Sequence, residues 1–288
     1  VSMVHTQNGK WSGTWQPRNG SPGSPVRVLM TAFVAAPSGG ALGAQTDLTV
    51  ALTSGAGVPF PQSVLSAASF LETGVLAPGG LISVFGSGLA AAPTSGTTPL
   101  PIDLGGTQVT LGGQALPLLY ASDGQVNAQV PFSLSVNTQL QLQVKRGSTL
   151  SVPQALTVAA AQPAVFTADV SGHGQGAIVN VQNQLVDANA PAAIGDTVVI
   201  YCTGLGAVTP AVPAGAPAPG SPLSQAGPVS VSIGSVPADV SFAGLSPGYA
   251  GLYQINAVVP AGVTFGSQVP VVVQVAGQTS PPVTIAVK

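Results

Sequence analysis

Charge is scarce in this sequence. Lys and Arg together number 6 and Asp and Glu together number 8, which makes 5% of the 288 residues, whereas an average soluble domain carries about a quarter. Nucleic acid and acidic lipid are bound by clustered cations, and the one adjacent basic pair is Lys145-Arg146. We therefore expect no nucleic-acid partner. With so few charges, the surface must either be hydrated through Ser, Thr, Asn and Gln or be buried against other molecules or domains. The second option points to self-association or to contact with other domains of the same protein.

Residues that carry chemistry are also few. The single cysteine, Cys202, excludes an internal disulfide, and its apolar surroundings predict a buried, inert thiol. Neither His5 nor His173 lies in a Gly-x-Ser-x-Gly setting, and the Gly-rich segment around His173 is followed by no helix pattern. The acidic residues are scattered, as expected of turn residues rather than of a glycosidase pair or a calcium site. We expect no catalytic residue, no metal and no cofactor.

Helix signals are missing. The longest apolar span, residues 76–93, is interrupted by Pro78, Gly79, Gly80, Gly86 and Gly88, so it does not qualify as a transmembrane helix. Elsewhere no window of 11 or more residues has a capped 3.6-residue apolar period. We expect little helix and no membrane insertion.

Glycine and proline are abundant, at 37 and 27 residues, but 45% of the chain is hydrophobic, so it should fold. Its length fits two or three domains of about 100 residues. Residues 1–57 predict a partial immunoglobulin-like domain, with an Asn8-Gly9 hairpin turn. Its predicted strands are Val1–Thr6, Lys10–Gln16, Val26–Ala36 and Gln45–Thr53. Because the first residue is not Met and no signal peptide precedes it, we expect the chain to be a piece of a longer protein.

An internal duplication dominates the remainder. The pattern of Leu76–Ala90 recurs at Ala192–Gly206, where in each copy a Gly-containing turn leads into a β-branched and aromatic run that ends at Gly-Leu. Four correspondences continue the alignment, at separations of 116, 129, 129 and 131 residues: Gly88 with Gly204, Gln125 with Gln254, Val130 with Val259, and Gln143 with Gln274. Most of the change in separation is assigned to the loop Thr209–Pro222. The predicted fold class is all-β, with tandem immunoglobulin-like β-sandwiches at residues 62–162 and 163–288, the second with an N-terminal hairpin.

Several short motifs add a family likeness. In order along the chain they are AASF, APGGLISVFGSGLA, QVNAQVP, YCTGLGAV, FAGLSPGYAGLYQINAVVP and VTIAV. They resemble the Solibacter-type uncharacterised C-terminal domain family of exported acidobacterial proteins, over about residues 62–288. The resemblance implies two immunoglobulin folds of the IPT/TIG variety and an extracellular or cell-surface location. It implies no catalytic activity.

Two functions fit these observations. The first is a non-catalytic structural or adhesive module of an exported cell-surface protein that assembles into a filament or sheath, because an incomplete first domain leaves a sheet edge open to a neighbouring copy. The alternative is a carbohydrate-binding module in which Trp11 and Trp15, four residues apart and so on one strand face, stack on sugar rings, with Tyr249 and Tyr253 as further platforms. A passenger role in export or anchoring is a third, weaker hypothesis.

Overall fold

The computed structural model describes residues 4–5, 11–12, 25–36, 40–51 and 57–288, with side chains from residue 25 to 31, from 43 to 50 and from 57 onward. It contains two compact units, one formed by Val1–Thr14 and Pro59–Lys288 and the other by Trp15–Val58. All described secondary structure is β-strand. The predictions of an all-β fold and of little helix are therefore confirmed.

The N-terminal residues form two hairpins. Strands β1 (Val4–His5) and β2 (Trp11–Ser12) pair antiparallel, and the Asn8-Gly9 turn predicted between them lies outside the described residues. Strands β3 (Pro25–Ala36) and β4 (Gly40–Ala51) pair along their whole length. Strand β4 begins five residues before the predicted Gln45, because its start pairs directly with the end of β3. The proposed extent of an immunoglobulin-like domain at residues 1–57 stays a prediction.

The first sandwich is built from eleven strands in two sheets. One sheet has the order β5-β7-β12-β11-β8, and the other has the order β10-β9-β13-β15-β6 with β14 beside β13. The strands are β5 (Phe60–Ser66), β6 (Val75–Leu76), β7 (Leu81–Ser87), β8 (Thr94–Ser95), β9 (Thr107–Leu111), β10 (Gln114–Ala115), β11 (Leu118–Ala121), β12 (Gln125–Gln129), β13 (Thr138–Arg146), β14 (Thr149–Leu150) and β15 (Gln154–Val158).

The second sandwich repeats this arrangement. Its first sheet has the order β16-β18-β24-β23-β20-β19 with β17 beside β18, and its second has the order β22-β21-β25-β26 with β27 beside β25. The strands are β16 (Ala164–Val165), β17 (Ile178–Asn180), β18 (Thr197–Thr203), β19 (Val208–Thr209), β20 (Gln225–Ala226), β21 (Val229–Ile233), β22 (Val236–Ala238), β23 (Val240–Leu245), β24 (Tyr253–Val258), β25 (Gly266–Val275), β26 (Gln278–Thr279) and β27 (Val283–Val287).

Each sandwich has its own core, and the alternation of apolar residues explains which strand faces enter it. In strand β12 Val126 and Ala128 are fully buried, while the intervening Asn127 faces outward. Strand β24 repeats the pattern with Ile255 and Ala257 buried. Burying each large aliphatic side chain contributes about 1.5–3 kcal/mol, so these alternating positions fix both the register and the core-facing side.

The strand registers confirm the duplication. Val84 pairs with Val126 in the first sandwich, and Ile200 pairs with Ile255 in the second, at the predicted separations of 116 and 129 residues. Even an irregularity is repeated, because the β11–β12 pairing shifts between Leu118 and Tyr120, and the β23–β24 pairing shifts between Val240 and Phe242. Structural equivalence therefore extends to individual cross-strand pairs.

The predicted separation of 131 residues is wrong. Lys145 pairs with Leu150 across the β13–β14 hairpin, and Gln274 pairs with Thr279 at the same place in β25–β26, so the counterpart of Gln274 is Lys145 and the separation is again 129. Gln followed by Val occurs in both strands, so residue types match Gln274 with Gln143 and not with Lys145. The error is two residues, and a shift of two residues keeps a side chain on the same face of a strand.

The prediction of one main insertion is also wrong. Across β9 and β11 the separation to the second copy is 122, as for Leu111 and Ile233, which pair with Leu142 and Val271. The separation between equivalent residues of the two copies therefore increases from 116 to 122 between β7 and β9. It increases again, from 122 to 129, between β11 and β12. The second copy therefore has two longer loops. We call residues 210–224 the first inserted loop and residues 246–252 the second inserted loop.

Candidate functional site: the junction between the sandwiches

The two sandwiches meet through both copies of the duplicated motif. The Leu81 amide donates a hydrogen bond to Thr203 Oγ1 at 2.8 Å. The Tyr253 hydroxyl donates to the carbonyl oxygen of Gly206, and it also lies 3.4 Å from the carbonyl oxygen of Pro78. Thr203 and Tyr253 are both buried. The start of the first motif is therefore bound by the end of the second.

The first inserted loop reaches the first sandwich through Gly215. Its amide donates to Gln129 Oε1 at 2.6 Å, and its carbonyl oxygen accepts a hydrogen bond from the Leu100 amide at 2.8 Å. Gln129 is 1% exposed although it lies on the outward side of its strand. A buried amide side chain without partners is costly, so this pairing holds the loop against the sheet.

The second inserted loop packs on the same surface through Gly251. Its φ of +70° is in the left-handed region, and a Cβ there would lie 2.6 Å from Leu81 Cδ2 and 3.1 Å from Gln129 Nε2. Only glycine permits so close an approach in this conformation. Both loops that break the duplication therefore contact the first sandwich.

A third contact involves the turn that precedes β17. A Cβ on Gly172 would lie 2.4 Å from the carbonyl oxygen of Ser69 and 3.2 Å from the Phe70 ring, and the Gly172 amide donates to Thr167 Oγ1 at 2.9 Å. Phe70 in turn packs on Phe85 with ring centroids 6.3 Å apart. The junction thus extends over a broad surface with separate points of attachment.

The side chains that form hydrogen bonds at the junction carry no charge. Gln129 and Thr203 each bond a backbone group of the other sandwich, and Tyr253 bonds the Gly206 carbonyl oxygen within its own sandwich. Burial raises the pKa of the Tyr253 hydroxyl, and the neighbouring Cys202 raises it further. Burial likewise raises the pKa of the Cys202 thiol, which is fully buried as predicted. Both groups therefore stay protonated in the folded protein.

The four aromatic residues predicted to stack on sugars have different outcomes in the structure. Trp11 lies in β2, but its side chain is outside the described residues, and Trp15 is outside them altogether. Their stacking role stays a prediction. Tyr249 is 59% exposed at the tip of the second inserted loop, whereas Tyr253 is fully buried. The interpretation of Tyr253 as a sugar platform is wrong, because the side chain faces the core.

Ionisable groups do not converge in the described part of the chain. Residues 57–288 and the described hairpin segments hold no group of three or more His, Cys, Asp or Glu positioned around a metal ion. His173 lies in an exposed turn with Nδ1 3.1 Å from the Ser171 carbonyl oxygen, and the Ser171 hydroxyl holds the pKa of Asp169 below its usual value by hydrogen bonding. The described residues also contain no helix with the length and apolar character required to cross a membrane.

The junction residues lie where the two copies differ in sequence, so motifs shared by the copies do not mark them. Gln129 stands where the second copy has Val258, and the two inserted loops have no counterpart. These differences were the available signal. Strand periodicity predicts only which side chains face the core of their own sandwich. It cannot predict the burial of Gln129, because that side chain is buried by residues of the other sandwich.

Comparison with known proteins finds remote similarity to solved structures. No family model and no curated protein matches the chain. Among solved structures, gamma-CGTase from alkalophilic Bacillus clarkii is 13% identical over 86% of this chain, with a TM-score of 0.27. The I9–I11 tandem of titin is 8% identical over 94% of this chain and 77% of its own, with a TM-score of 0.19. The tandem Ig repeats of Dlar are 14% identical over 80% of this chain and 95% of their own, with a TM-score of 0.18.

The chain spans 28% of the length of the gamma-CGTase, and nothing of that protein's activity is carried over. The fold rests on the two sheets and matching registers of each copy. It is a tandem of immunoglobulin-like β-sandwiches.

Proposed function

We propose that the chain is a non-catalytic structural and adhesive module of an exported cell-surface protein, in which the two sandwiches act as one stiff body. The junction is the observation that carries this proposal. Its hydrogen bonds involve buried groups such as Gln129 and Thr203, which would lose their partners if the sandwiches separated. Each such hydrogen bond contributes about 0.5–1.5 kcal/mol net. Separating the sandwiches would break these bonds together, so bending at the junction is disfavoured.

The motif resemblance supports the finer assignment to the Solibacter-type C-terminal domain family and its IPT/TIG variety of fold. Export to the cell surface follows from that assignment. Antibodies raised against residues 57–288 should label intact cells of the source organism. Labelling that requires permeabilised cells would contradict an extracellular location.

Self-association is supported by the β3–β4 hairpin. Register places Val26, Val28 and Met30 on one face with Leu48 and Val50, and all five are exposed or half-buried. The opposite face carries an ion pair between Arg27 and Asp47 with Nε and Oδ2 2.7 Å apart. A two-stranded sheet is marginally stable alone, and an apolar face gains stability when it is covered. We propose that a second copy of the chain covers it, as the first step towards a filament or sheath.

Sedimentation velocity across micromolar concentrations tests this step. We expect species heavier than the monomer of 28.1 kDa, with the monomer fraction rising in a Leu48→Lys variant. Leu29→Lys is the matched control, because Leu29 is equally exposed on the polar face of the same hairpin. A wild-type chain that stays monomeric, or two variants that behave alike, would remove self-association through this face.

A further inference from the structure

The outward face of one sheet in each sandwich carries the same set of side chains. In the first sandwich Phe85 lies opposite Gln125, and Tyr120 lies opposite Asn127, on three adjacent strands. All four are half-buried, and Gln125 and Asn127 alternate with core-facing residues. The Phe85 ring also packs on Phe70 at the junction. We call this set the first amide–aromatic face.

The second sandwich repeats the set at equivalent positions. Tyr201 lies opposite Gln254, and Phe242 lies opposite Asn256, again on three adjacent strands and again half-buried. We call this the second amide–aromatic face. Each position therefore keeps its class, an amide or an aromatic ring, although the ring itself changes from Phe to Tyr in one place and from Tyr to Phe in the other.

The amides are oriented by a hydrogen bond that also recurs. Gln125 Nε2 donates to Asn127 Oδ1 at 2.8 Å, and Gln254 Nε2 donates to Asn256 Oδ1 at 2.9 Å. Among the described residues no protein acceptor bonds the Nδ2 group of either asparagine. Neither Nδ2 atom belongs to the fully buried polar atoms that lack a hydrogen-bond partner. Neither Nδ2 group is therefore fully buried, and each asparagine lies opposite an aromatic residue of the adjacent strand.

The position within the sheet restricts what such a face can bind. Strand β12 is paired on both sides, with β7 and β11, and β24 is paired with β18 and β23. Their backbone groups are used, so a peptide cannot add as a further strand, and recognition must come from side chains. None of the eight side chains is charged. A charged ligand gains nothing here, and a purely apolar ligand would strip water from the amides at a cost.

A neutral, hydroxyl-rich ligand matches both features. Amide groups donate to and accept from hydroxyls, and a ring of Phe or Tyr offers a flat apolar surface to the C–H face of a sugar. We propose that each amide–aromatic face binds a neutral polysaccharide. This inference rests on the adhesive part of the proposed function and supplies its ligand class.

Affinity gel electrophoresis in xyloglucan, galactomannan and dextran tests the proposal, with the anionic polymer alginate for comparison. We expect at least one neutral polysaccharide to retard the full chain and alginate to leave its mobility unchanged. Asn127→Ala or Asn256→Ala alone should reduce the retardation without abolishing it, because one of the two equivalent sites remains. The double variant should not be retarded.

The matched control is Gln139→Ala with Gln268→Ala. These exposed amides are also 129 residues apart, but they lie on the other sheet of each sandwich. That variant should be retarded like the wild type. No retardation of the wild type by any of the three neutral polymers, or equal loss in both double variants, would overturn the proposal.

Side-chain NMR keeps the test decisive where the double variant does not fold. In the wild type the Nδ2 hydrogens of Asn127 and Asn256 should shift or broaden when the retarding polysaccharide is added. Retardation without such changes would place binding elsewhere and overturn the assignment of the face. Neither result alters the sedimentation behaviour or the stiffness of the junction, so failure here is distinguishable from failure of the structural role.

Discussion

The two sandwiches share their strands, sheet orders and registers, yet they play unequal parts in joining each other. The second sandwich supplies both inserted loops and the buried Tyr253, whereas the counterpart of Tyr253 in the first is Gly124. The counterpart of buried Thr203 is exposed Ser87. Duplication thus accounts for the fold of each half, and the later differences account for the joint between them.

The joining surface of the first sandwich is not repeated in the second. Gly80 and Pro117 are buried at the junction, and their counterparts are Asp196 and Asp239, which are exposed. A carboxylate in a buried uncharged contact is costly. The complementary surfaces therefore occur once in each chain, and this junction does not propagate from copy to copy.

Among the variants that test this difference between the sandwiches, Tyr253→Ala should lose the most stability. Truncating a fully buried aromatic side chain costs about 3–5 kcal/mol, and here it also removes the hydroxyl that bonds Gly206. We expect calorimetry to show one unfolding transition for the wild type and two for the variant. Tyr249→Ala, on the exposed tip of the adjoining loop, should change stability by less than about 0.5 kcal/mol. Equal effects of the two variants would contradict a role for Tyr253 at the joint.

Alkaline pH should weaken the second sandwich selectively. Burial raises the pKa of Cys202 above its ordinary value of 9.0 and that of Tyr253 above 10.0, so the unfolded chain loses these protons first. Their contribution is fully present below about pH 9 and is lost as pH rises, at about 1.4 kcal/mol per pH unit for each ionised group. Together they should remove about 2–3 kcal/mol of unfolding free energy between pH 10 and 11.

Urea unfolding at several pH values measures this slope. In a Tyr253→Phe variant the slope above pH 10 should fall to about half, because one titrating group is gone. A stability that does not change from pH 8 to 11 would show that the two groups are accessible to ionisation in the folded protein.

A smaller effect is expected at the second inserted loop. Gly251→Ala places a methyl group against Leu81 and Gln129, while Gly248→Ala has the same left-handed strain with nothing within 4 Å of the new Cβ. The variant at 251 should therefore lose about 1–3 kcal/mol more than the variant at 248. Denaturant midpoints compare the two directly, and similar midpoints would show that the loop yields freely.

The smallest change is expected at the equivalent strand ends of the two copies, Thr203 and Ser87. Thr203→Val leaves the Leu81 amide without its acceptor and should cost about 1–2 kcal/mol, near the low end for an unpaired buried group. Ser87→Ala at the equivalent exposed position should be close to neutral. Thermal melts of both variants measure the difference, and a destabilised Ser87→Ala would mean that the two positions are not distinct in function.

Much of the fold could be predicted from residue patterns, because β-branched alternation and Gly turns encode strands locally. The QVN and QIN motifs marked equivalent strands, although only the register revealed that their amides face outward beside aromatic rings. The junction could not be predicted, since its contacts join loops without periodicity, as between Gln129 and Gly215. The start of β4 was missed because pairing across a short connection outweighed the weak strand propensity of its Gly and Ala residues.

Residual dipolar couplings measured on the backbone amides of residues 57–288 test the stiff junction most directly. If the two sandwiches are held as one body, one alignment tensor will fit the couplings of both. Two tensors of different magnitude would show that the sandwiches move independently, and they would contradict the account.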